Sequence, residues 1–126
     1  MSKTHGTFHW NELMARDVAA AKKFYADTIG WTYDGMPTPD GKTYWVAKMN
    51  DQPVAGLFDI SGPDYKGMPD GWMPYLAVDD VDGRAKKAVA AGARMMKPAF
   101  DVPGVGRIVI LMEPGGAGIG WITPAS

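Results

Sequence analysis

Hydrophobic and polar residues alternate over short distances along most of the chain, and few segments follow the period of a helix. The clearest helical segment is residues 18–29, where apolar side chains recur at steps of three, four and four. Asp17 before it is a helix-capping residue, and Gly30 after it is a common helix terminator. This pattern predicts an amphipathic helix between Asp17 and Gly30.

Short apolar runs bounded by turn residues predict β-strands on both sides of this helix. One run precedes the helix and three follow it. These runs cover residues 8–14, 31–34, 42–49 and 53–60. The first half of the chain therefore predicts the order β-α-β-β-β.

The second half repeats this order after a linker rich in Gly and Pro at residues 61–71. Asp79 lies thirteen residues before Gly92, just as Asp17 lies thirteen residues before Gly30. A second helix is predicted between Asp79 and Gly92. The matched spacing indicates an internal repeat of about sixty residues. The accompanying strand-like runs cover residues 72–78, 94–96, 105–111 and 118–122.

The predicted fold is a single α+β domain, residues 1–126, made of two βαβββ modules. The first module covers about residues 8–60 and the second about residues 72–123. Two open sheets of this kind cannot each close alone, so we expect them to pack around a shared concavity. The prediction is a pair of curved, mixed sheets around a cleft.

Composition narrows the class of partner. The 13 basic and 14 acidic residues nearly cancel and are scattered, which argues against a nucleic-acid surface. The first residues lack a signal-peptide core, and no apolar run approaches the ~20 residues that span a bilayer. The absence of cysteine excludes thiolate chemistry, while five Trp, five Tyr and nine Met suit a small-molecule pocket. We expect a cytoplasmic protein that binds neither nucleic acid nor membrane.

Several short motifs occur together in one order. In the first half they are Asp17, Tyr25, Gly30 and Trp31 at fixed spacing, with Phe24-Tyr25 near the end of the helix. In the second half they are Tyr75 followed by Val78-Asp79-Asp80-Val81-Asp82 before the helix, Gly92-Ala93 after it, Pro103-Gly-Val-Gly-Arg107, and Glu113-Pro-Gly-Gly-Ala117 before the last strand. Their order and spacing resemble the vicinal oxygen chelate superfamily, which includes glyoxalase I, the bleomycin-resistance proteins and the extradiol dioxygenases. The resemblance covers nearly the whole chain and implies that fold, but no particular reaction.

Metal-dependent members of this superfamily hold their ion through His or Glu side chains on the first and last strands of each module. The resemblance places the matching positions near Trp10, near Phe58, at Met73 and at Gly120. None of these is a normal ligand, because such metals take imidazole or carboxylate donors. The resemblance therefore implies a divergent member that uses no cofactor. A shift in alignment that brings Glu12 to the first position keeps a divalent metal as the alternative.

The resemblance also suggests which residues line the cleft as ligand-binding residues: Trp10, Phe58, Met73 and Tyr75. Glu12 shares the strand parity of Trp10, so its carboxylate is predicted to face the cleft as a general base or an anchor for a cation. The alternatives for Glu12 are a carboxylate paired with Lys or Arg and one that lies at the mouth of the cleft in solvent. The alternative for Tyr75 is a place in the core, with its hydroxyl at the rim. Arg107 is predicted either to meet an anionic substrate or to form a surface ion pair. The glycines before Arg107 precede a strand and no helix, which argues against a nucleotide loop.

The sequence predicts a glyoxalase/bleomycin-resistance-like protein that binds a small amphipathic or aromatic molecule in a cleft without the usual metal. One alternative is an enzyme, either a metal-dependent lyase, isomerase or dioxygenase or a metal-free catalyst with Glu12 as base. Another is a non-catalytic dimeric interaction module. Superfamily members often dimerise, so a homodimer is expected. His9 lies off the parity of Trp10, and His5 lies in an N-terminal segment that we expect to be mobile.

Overall fold

The computed structural model describes residues 4–125; residues 1–3, the beginning of the N-terminal segment, and residue 126 lie outside the described residues. It confirms the α+β class and the repeated order β-α-β-β-β. The elements are β1 (Phe8–Ala15), α1 (Val18–Ile29), β2 (Thr32–Pro37), β3 (Thr43–Met49), β4 (Gln52–Asp59), a short 3-10 helix (Pro63–Tyr65), β5 (Gly71–Ala77), α2 (Val81–Ala90), β6 (Arg94–Val102), β7 (Gly106–Met112) and β8 (Gly118–Pro124). The chain divides into a first unit, residues 10–72, and a second unit, residues 4–9 with 73–125.

The first unit has the strand order β2-β3-β4-β1, in which β1 runs parallel to β4 and the other pairs are antiparallel. Helix α1 covers one face of this sheet. The buried core on that face consists of Leu13, Ala15, Ala47, Ala55 and Leu57. Because side chains alternate along a strand, the opposite face carries a different set of residues. We call it the open face, and it includes Trp10, Glu12, Tyr44, Gly56 and Phe58.

The second unit repeats this arrangement with the order β5-β8-β7-β6, and β5 runs parallel to β8. Helix α2 contributes Val81 and Ala85 to a core that also contains Val78, Val109, Leu111 and Ile119. Glu12 is the strand partner of Gly56 in the first unit, and Tyr75 is the partner of Gly120 in the second. The register therefore makes Tyr75 the counterpart of Glu12, and Gly120 the counterpart of Gly56.

The ends of the helices show how local chemistry sets their limits. The Asp17 side chain accepts a hydrogen bond from Ala20 N, and Gly30 adopts a left-handed conformation with φ 85°, which confirms both predicted ends of α1. At α2 the capping residue is Asp80, one position after Asp79. Asp79 instead accepts two hydrogen bonds from the Arg84 guanidinium, at 2.8 and 2.9 Å.

The N-terminal segment is bonded to the second unit. Gly6 N donates to Ala77 O at 2.7 Å, Ala77 N donates to Thr7 O at 2.8 Å, and Asp79 N donates to Nδ1 of His5 at 2.9 Å. Residues 5–7 are therefore held at the end of β5, where the sequence alone predicted mobility.

Strand β6 is longer than its predicted part, residues 94–96, and continues to Val102. Pro98 is tolerated within it because β6 lies at the edge of its sheet and its pairing with β7 is irregular around this residue. Within residues 4–125, no helix is both long enough and apolar enough to cross a membrane.

The ion pair of Asp79 makes stability depend on pH. Hydrogen bonding to Arg84 and its charge hold the pKa of the Asp79 carboxyl well below its usual range. The Asp79 carboxyl therefore binds a proton more readily in the unfolded chain than in the folded one. Its contribution to the free energy of unfolding is present above about pH 4 and is lost as the pH falls through the lowered pKa of the folded state. We expect Asp79→Asn to lower Tm near neutral pH and to flatten the fall of Tm below about pH 4, as measured by thermal unfolding across pH. Asp27→Asn, which breaks an exposed pair with Lys23, is the control, and equal flattening in this variant would contradict the role of Asp79.

Candidate functional site

Three side chains on the open face form a chain of hydrogen bonds. The Nε1 of Trp10 donates to the Tyr44 hydroxyl at 3.0 Å, and this hydroxyl donates to Oε1 of Glu12 at 2.9 Å. Strand β1 supplies Trp10 and Glu12, which point the same way because they are two residues apart. Strand β3 supplies Tyr44. An indole, a phenol and a carboxylate are thus fixed in one half-buried cluster.

Gly56 provides the space for this cluster. It is buried and is the strand partner of Glu12. A Cβ atom at this position would lie 1.5 Å from the Tyr44 hydroxyl oxygen and 2.2 Å from Cζ of the same ring. The Tyr44 hydroxyl therefore fills the volume into which a side chain at position 56 would project. The lack of a side chain at Gly56 is what lets the phenol reach Glu12.

The environment of Tyr44 sets what the cluster can do chemically. Burial and the negative charge of Glu12 raise the pKa of Tyr44 far above its usual value, against a smaller lowering by the Trp10 hydrogen bond. Tyr44 therefore stays protonated near neutral pH and acts as a hydrogen-bond donor. It orients the Glu12 carboxylate, which is a hydrogen-bond acceptor and a candidate base.

A pocket of about 170 Å³ lies beside Tyr44, within the first unit. Its walls include three aromatic rings, those of Tyr44, Phe58 and Tyr65. Phe58 and Tyr65 meet edge to face with ring centroids 5.5 Å apart. The charged lining residues are Asp40, Lys42, Asp59 and Asp64. Because an apolar cavity of about 150 Å³ holds benzene, this pocket has room for a substituted aromatic ring.

Arg16 holds the loop that forms one wall of this pocket. Its guanidinium donates to the backbone carbonyls of Ile60 at 3.1 Å, Tyr65 at 3.4 Å and Met68. Its backbone N donates to Oδ1 of Asp70 at 3.1 Å. Residues 60–70 are thus more than a linker, because one arginine fixes their course past the pocket.

The other predicted site residues lie in the second unit. Tyr75 is buried, and its ring lies 2.4 Å from where a Cβ of Gly120 would be. Met73 is half-buried, and its Cε lies 3.9 Å from the equivalent point at Gly118. Their contact with a ligand stays a prediction.

Arg107 is engaged by carboxylates of its own unit. It donates to Asp82 at 2.9 and 3.2 Å and to Asp101 at 3.1 Å. These are the ion pairs that the sequence left open as the alternative to substrate binding.

The strand register changes one of the four positions at which metal-dependent relatives carry a ligand. Gly120, the position on the last strand of the second module, corresponds to Gly56 in the first module. The equivalent position is therefore Gly56, two residues before Phe58. Phe58 itself lines the pocket.

The residues at these positions do not fit a metal ion. The two last-strand positions are glycines, Gly56 and Gly120, each with a tyrosine placed where a ligand side chain would project. The two first-strand positions are Trp10 and Met73, which offer no imidazole or carboxylate. Within the described part of the chain, no group of three or more His, Cys, Asp or Glu side chains could hold an ion. Glu12 alone does not make a donor set.

Comparison with known proteins places this geometry in context. The chain is 41% identical over 116 residues to a Mycobacterium tuberculosis protein named "Putative glyoxylase CFP32", covering 91% of this chain and 44% of the relative. It is 32% identical over 119 residues to the anthracycline biosynthesis protein DnrV of Streptomyces peucetius, covering 86% and 43%. The chain thus spans less than half the length of either relative.

Solved structures with the same fold include methylmalonyl-CoA epimerases. The Streptomyces coelicolor enzyme has a TM-score of 0.72 at 19% identity, covering 97% of this chain and 96% of that chain. The Mycobacterium tuberculosis enzyme has a TM-score of 0.67 at 18% identity, covering 100% and 93%. At such identities the similarity concerns the fold alone. The match of residues 7–120 to the family model confirms the resemblance and shows that the chain belongs to the Glyoxalase/Bleomycin resistance protein/Dioxygenase superfamily.

Proposed function

We propose that this superfamily member binds a small amphipathic or aromatic molecule on the open face of the first unit, without the usual metal. The observation that carries the proposal is the hydrogen-bonded chain of Trp10, Tyr44 and Glu12 beside an aromatic pocket. Ligand sites typically combine apolar walls with a few fixed polar groups. The pocket supplies the walls, and the Glu12 carboxylate supplies an oriented acceptor.

Benzyl alcohol is a suitable probe because it combines one aromatic ring with a neutral polar group. We expect it to shift the indole N–H signal of Trp10 saturably in a 1H–15N NMR titration, while the signal of Trp121, in the second unit, stays in place. Phe58→Ala removes one aromatic wall and should weaken binding about tenfold, as expected for the loss of an aromatic contact. Replacing each tryptophan in turn by phenylalanine assigns the signals.

A Trp10 signal that does not move up to the solubility limit of benzyl alcohol would contradict the proposal. Equal affinity in the Phe58→Ala variant would also contradict it, because binding would then take place elsewhere. Thermal unfolding of the variant shows whether its fold is intact.

A catalyst that uses Glu12 as a metal-free base is the second candidate. It is favoured by the carboxylate that Tyr44 holds in one orientation on the open face. Such a catalyst would introduce solvent deuterium into a bound carbon acid such as phenylacetone, and Glu12→Gln would stop the exchange. A binding protein would leave phenylacetone unchanged.

We also propose that the protein acts as a homodimer. Support comes from the superfamily, whose members commonly dimerise. A homodimer is also what the alternative function, a non-catalytic interaction module, would require. Light scattering decides between the mass of one chain and that of two.

A further inference from the structure

We infer that the pocket of the first unit selects ligands in which a positively charged amine is attached to an aromatic or apolar group. This inference rests on the proposed function, since it names the ligand class for the same open face. It is carried by the charges around the pocket and by the rings that form its walls.

The charged groups that line the pocket are predominantly negative. Three carboxylates, Asp40, Asp59 and Asp64, line it together with one ammonium group, that of Lys42. Among the described residues, none of these three aspartates takes part in an ion pair, since the ion pairs of this part of the chain join other residues. The charge of the Lys42 ammonium acts on Asp40 and Asp59. One positive charge does not balance three carboxylates, so a cationic ligand would meet a lining with net negative charge.

Two of these carboxylates are held in place by hydrogen bonds. Ser61 N donates to Oδ1 of Asp59 at 2.7 Å, and Lys42 N donates to Oδ1 of Asp40 at 3.0 Å. Hydrogen bonds from Ser61 lower the pKa of Asp59, and those from Thr38 and Lys42 lower the pKa of Asp40. Both groups therefore stay ionised at neutral pH.

Aromatic rings and carboxylates surround the same space. Burial raises the pKa of Tyr65, and the charges of Asp64, Asp40 and Glu12 raise it further. These carboxylates therefore act on one wall of the pocket. Aromatic faces attract cations and also bury the apolar part of a ligand, so the two kinds of lining favour the same molecule.

The experiment compares three probes that share one ring. Benzylamine is protonated at neutral pH, benzyl alcohol is neutral and benzoate is anionic. Each is titrated against the full chain while the Trp10 indole signal is followed. We expect benzylamine to bind about tenfold more tightly than benzyl alcohol, and benzoate most weakly, because several partly exposed charge pairs contribute modestly. The preference for benzylamine should fall as salt is added.

Charge-removing variants identify the source of the preference. Asp59→Asn with Asp64→Asn should reduce the preference for benzylamine over benzyl alcohol, measured as the ratio of the two Kd values in the same variant, to about twofold or less. Lys42→Gln should increase the preference. Asp27→Asn on α1 is the matched control, because it removes a carboxylate outside the pocket. If the double variant does not fold, the single variant Asp64→Asn provides the same comparison, since Asp64 is exposed.

The outcomes separate this inference from the proposed function. Equal binding of all three probes would overturn the inference and leave the proposed function standing. Tightest binding of benzoate would overturn it as well, and would show that Lys42 dominates the pocket. If none of the probes moves the Trp10 signal, both proposals fail. The expected order, retained in Asp27→Asn and lost in the double variant, supports both.

Discussion

Gly56→Ala is expected to lower the free energy of unfolding by roughly 2–4 kcal/mol. The added methyl group would lie 1.5 Å from the Tyr44 hydroxyl oxygen, so the ring must move. Moving it breaks the hydrogen bonds to Glu12 and from Trp10 and overpacks a half-buried site. Denaturant unfolding at constant m-value measures the loss.

A double-mutant cycle tests whether Tyr44 is the cause. Tyr44→Leu removes the ring atoms nearest to Gly56, so Gly56→Ala should cost less than about 0.5 kcal/mol in that background. Gly71→Ala serves as the control for the substitution itself, because its Cβ would meet no atom within 4 Å. An undiminished cost of Gly56→Ala in the Tyr44→Leu background would mean that the backbone at position 56, and not the phenol, demands glycine.

The same substitution links stability to the site. When Tyr44 is displaced from Glu12, the Trp10 indole loses its acceptor, and its N–H signal should move toward that of a solvent-exposed indole. A loss of stability without this NMR change would mean that Gly56→Ala destabilises the fold through packing alone and leaves the hydrogen-bonded cluster intact.

The fold was largely predictable because its signals are local. Residues 18–29 combine a helical period with Asp17 and Gly30 at the two ends, and the structure confirms each. The cap of α2 was less predictable, because Asp79 and Asp80 are both capping residues. Arg84 decides between them, since it binds Asp79 and leaves Asp80 to cap the helix.

The candidate site was predictable only where it lies on one strand. Parity along β1 places Glu12 beside Trp10, but nothing local indicates that Tyr44 lies between them. This contact depends on the register of β3 against β4 and of β4 against β1, which is set by pairing between distant segments. One available signal was Gly56 itself, because a glycine inside an apolar strand often marks a close approach by another group.

The pocket could not be predicted, because one of its walls is formed by Gly62, Pro63, Asp64 and Tyr65, which lie in the predicted linker, residues 61–71. Their Gly and Pro content is typical of a linker. Their fixed course depends on the guanidinium of Arg16, which reaches backbone carbonyls more than forty positions away in the sequence. Long side chains that bind a loop through its backbone leave no pattern in the sequence of that loop.

Gly106→Ala is expected to be the most damaging single-methyl change, with a loss of roughly 3–5 kcal/mol in the free energy of unfolding. Gly106 has φ 149°, a conformation that side chains of L-residues rarely adopt. Its Cβ would also lie 2.4 Å from the backbone oxygen of Thr123, which cannot swing away as a side chain can. The glycine pair before Arg107 thus has a structural explanation: Gly104 lies in the turn between β6 and β7, and Gly106 is the first residue of β7.

The neighbouring Gly104 is the matched control for Gly106. It also has a positive φ, 78°, but a Cβ there would meet no atom within 4 Å. Gly104→Ala should therefore cost only about 1 kcal/mol, the strain of the backbone alone. Denaturant unfolding of the two variants side by side measures the difference. We expect the loss for Gly106→Ala to exceed that for Gly104→Ala by roughly 2–4 kcal/mol, and this difference measures the clash with Thr123 between β7 and β8. Equal losses would mean that backbone conformation accounts for both glycines and that the close approach of Thr123 contributes nothing.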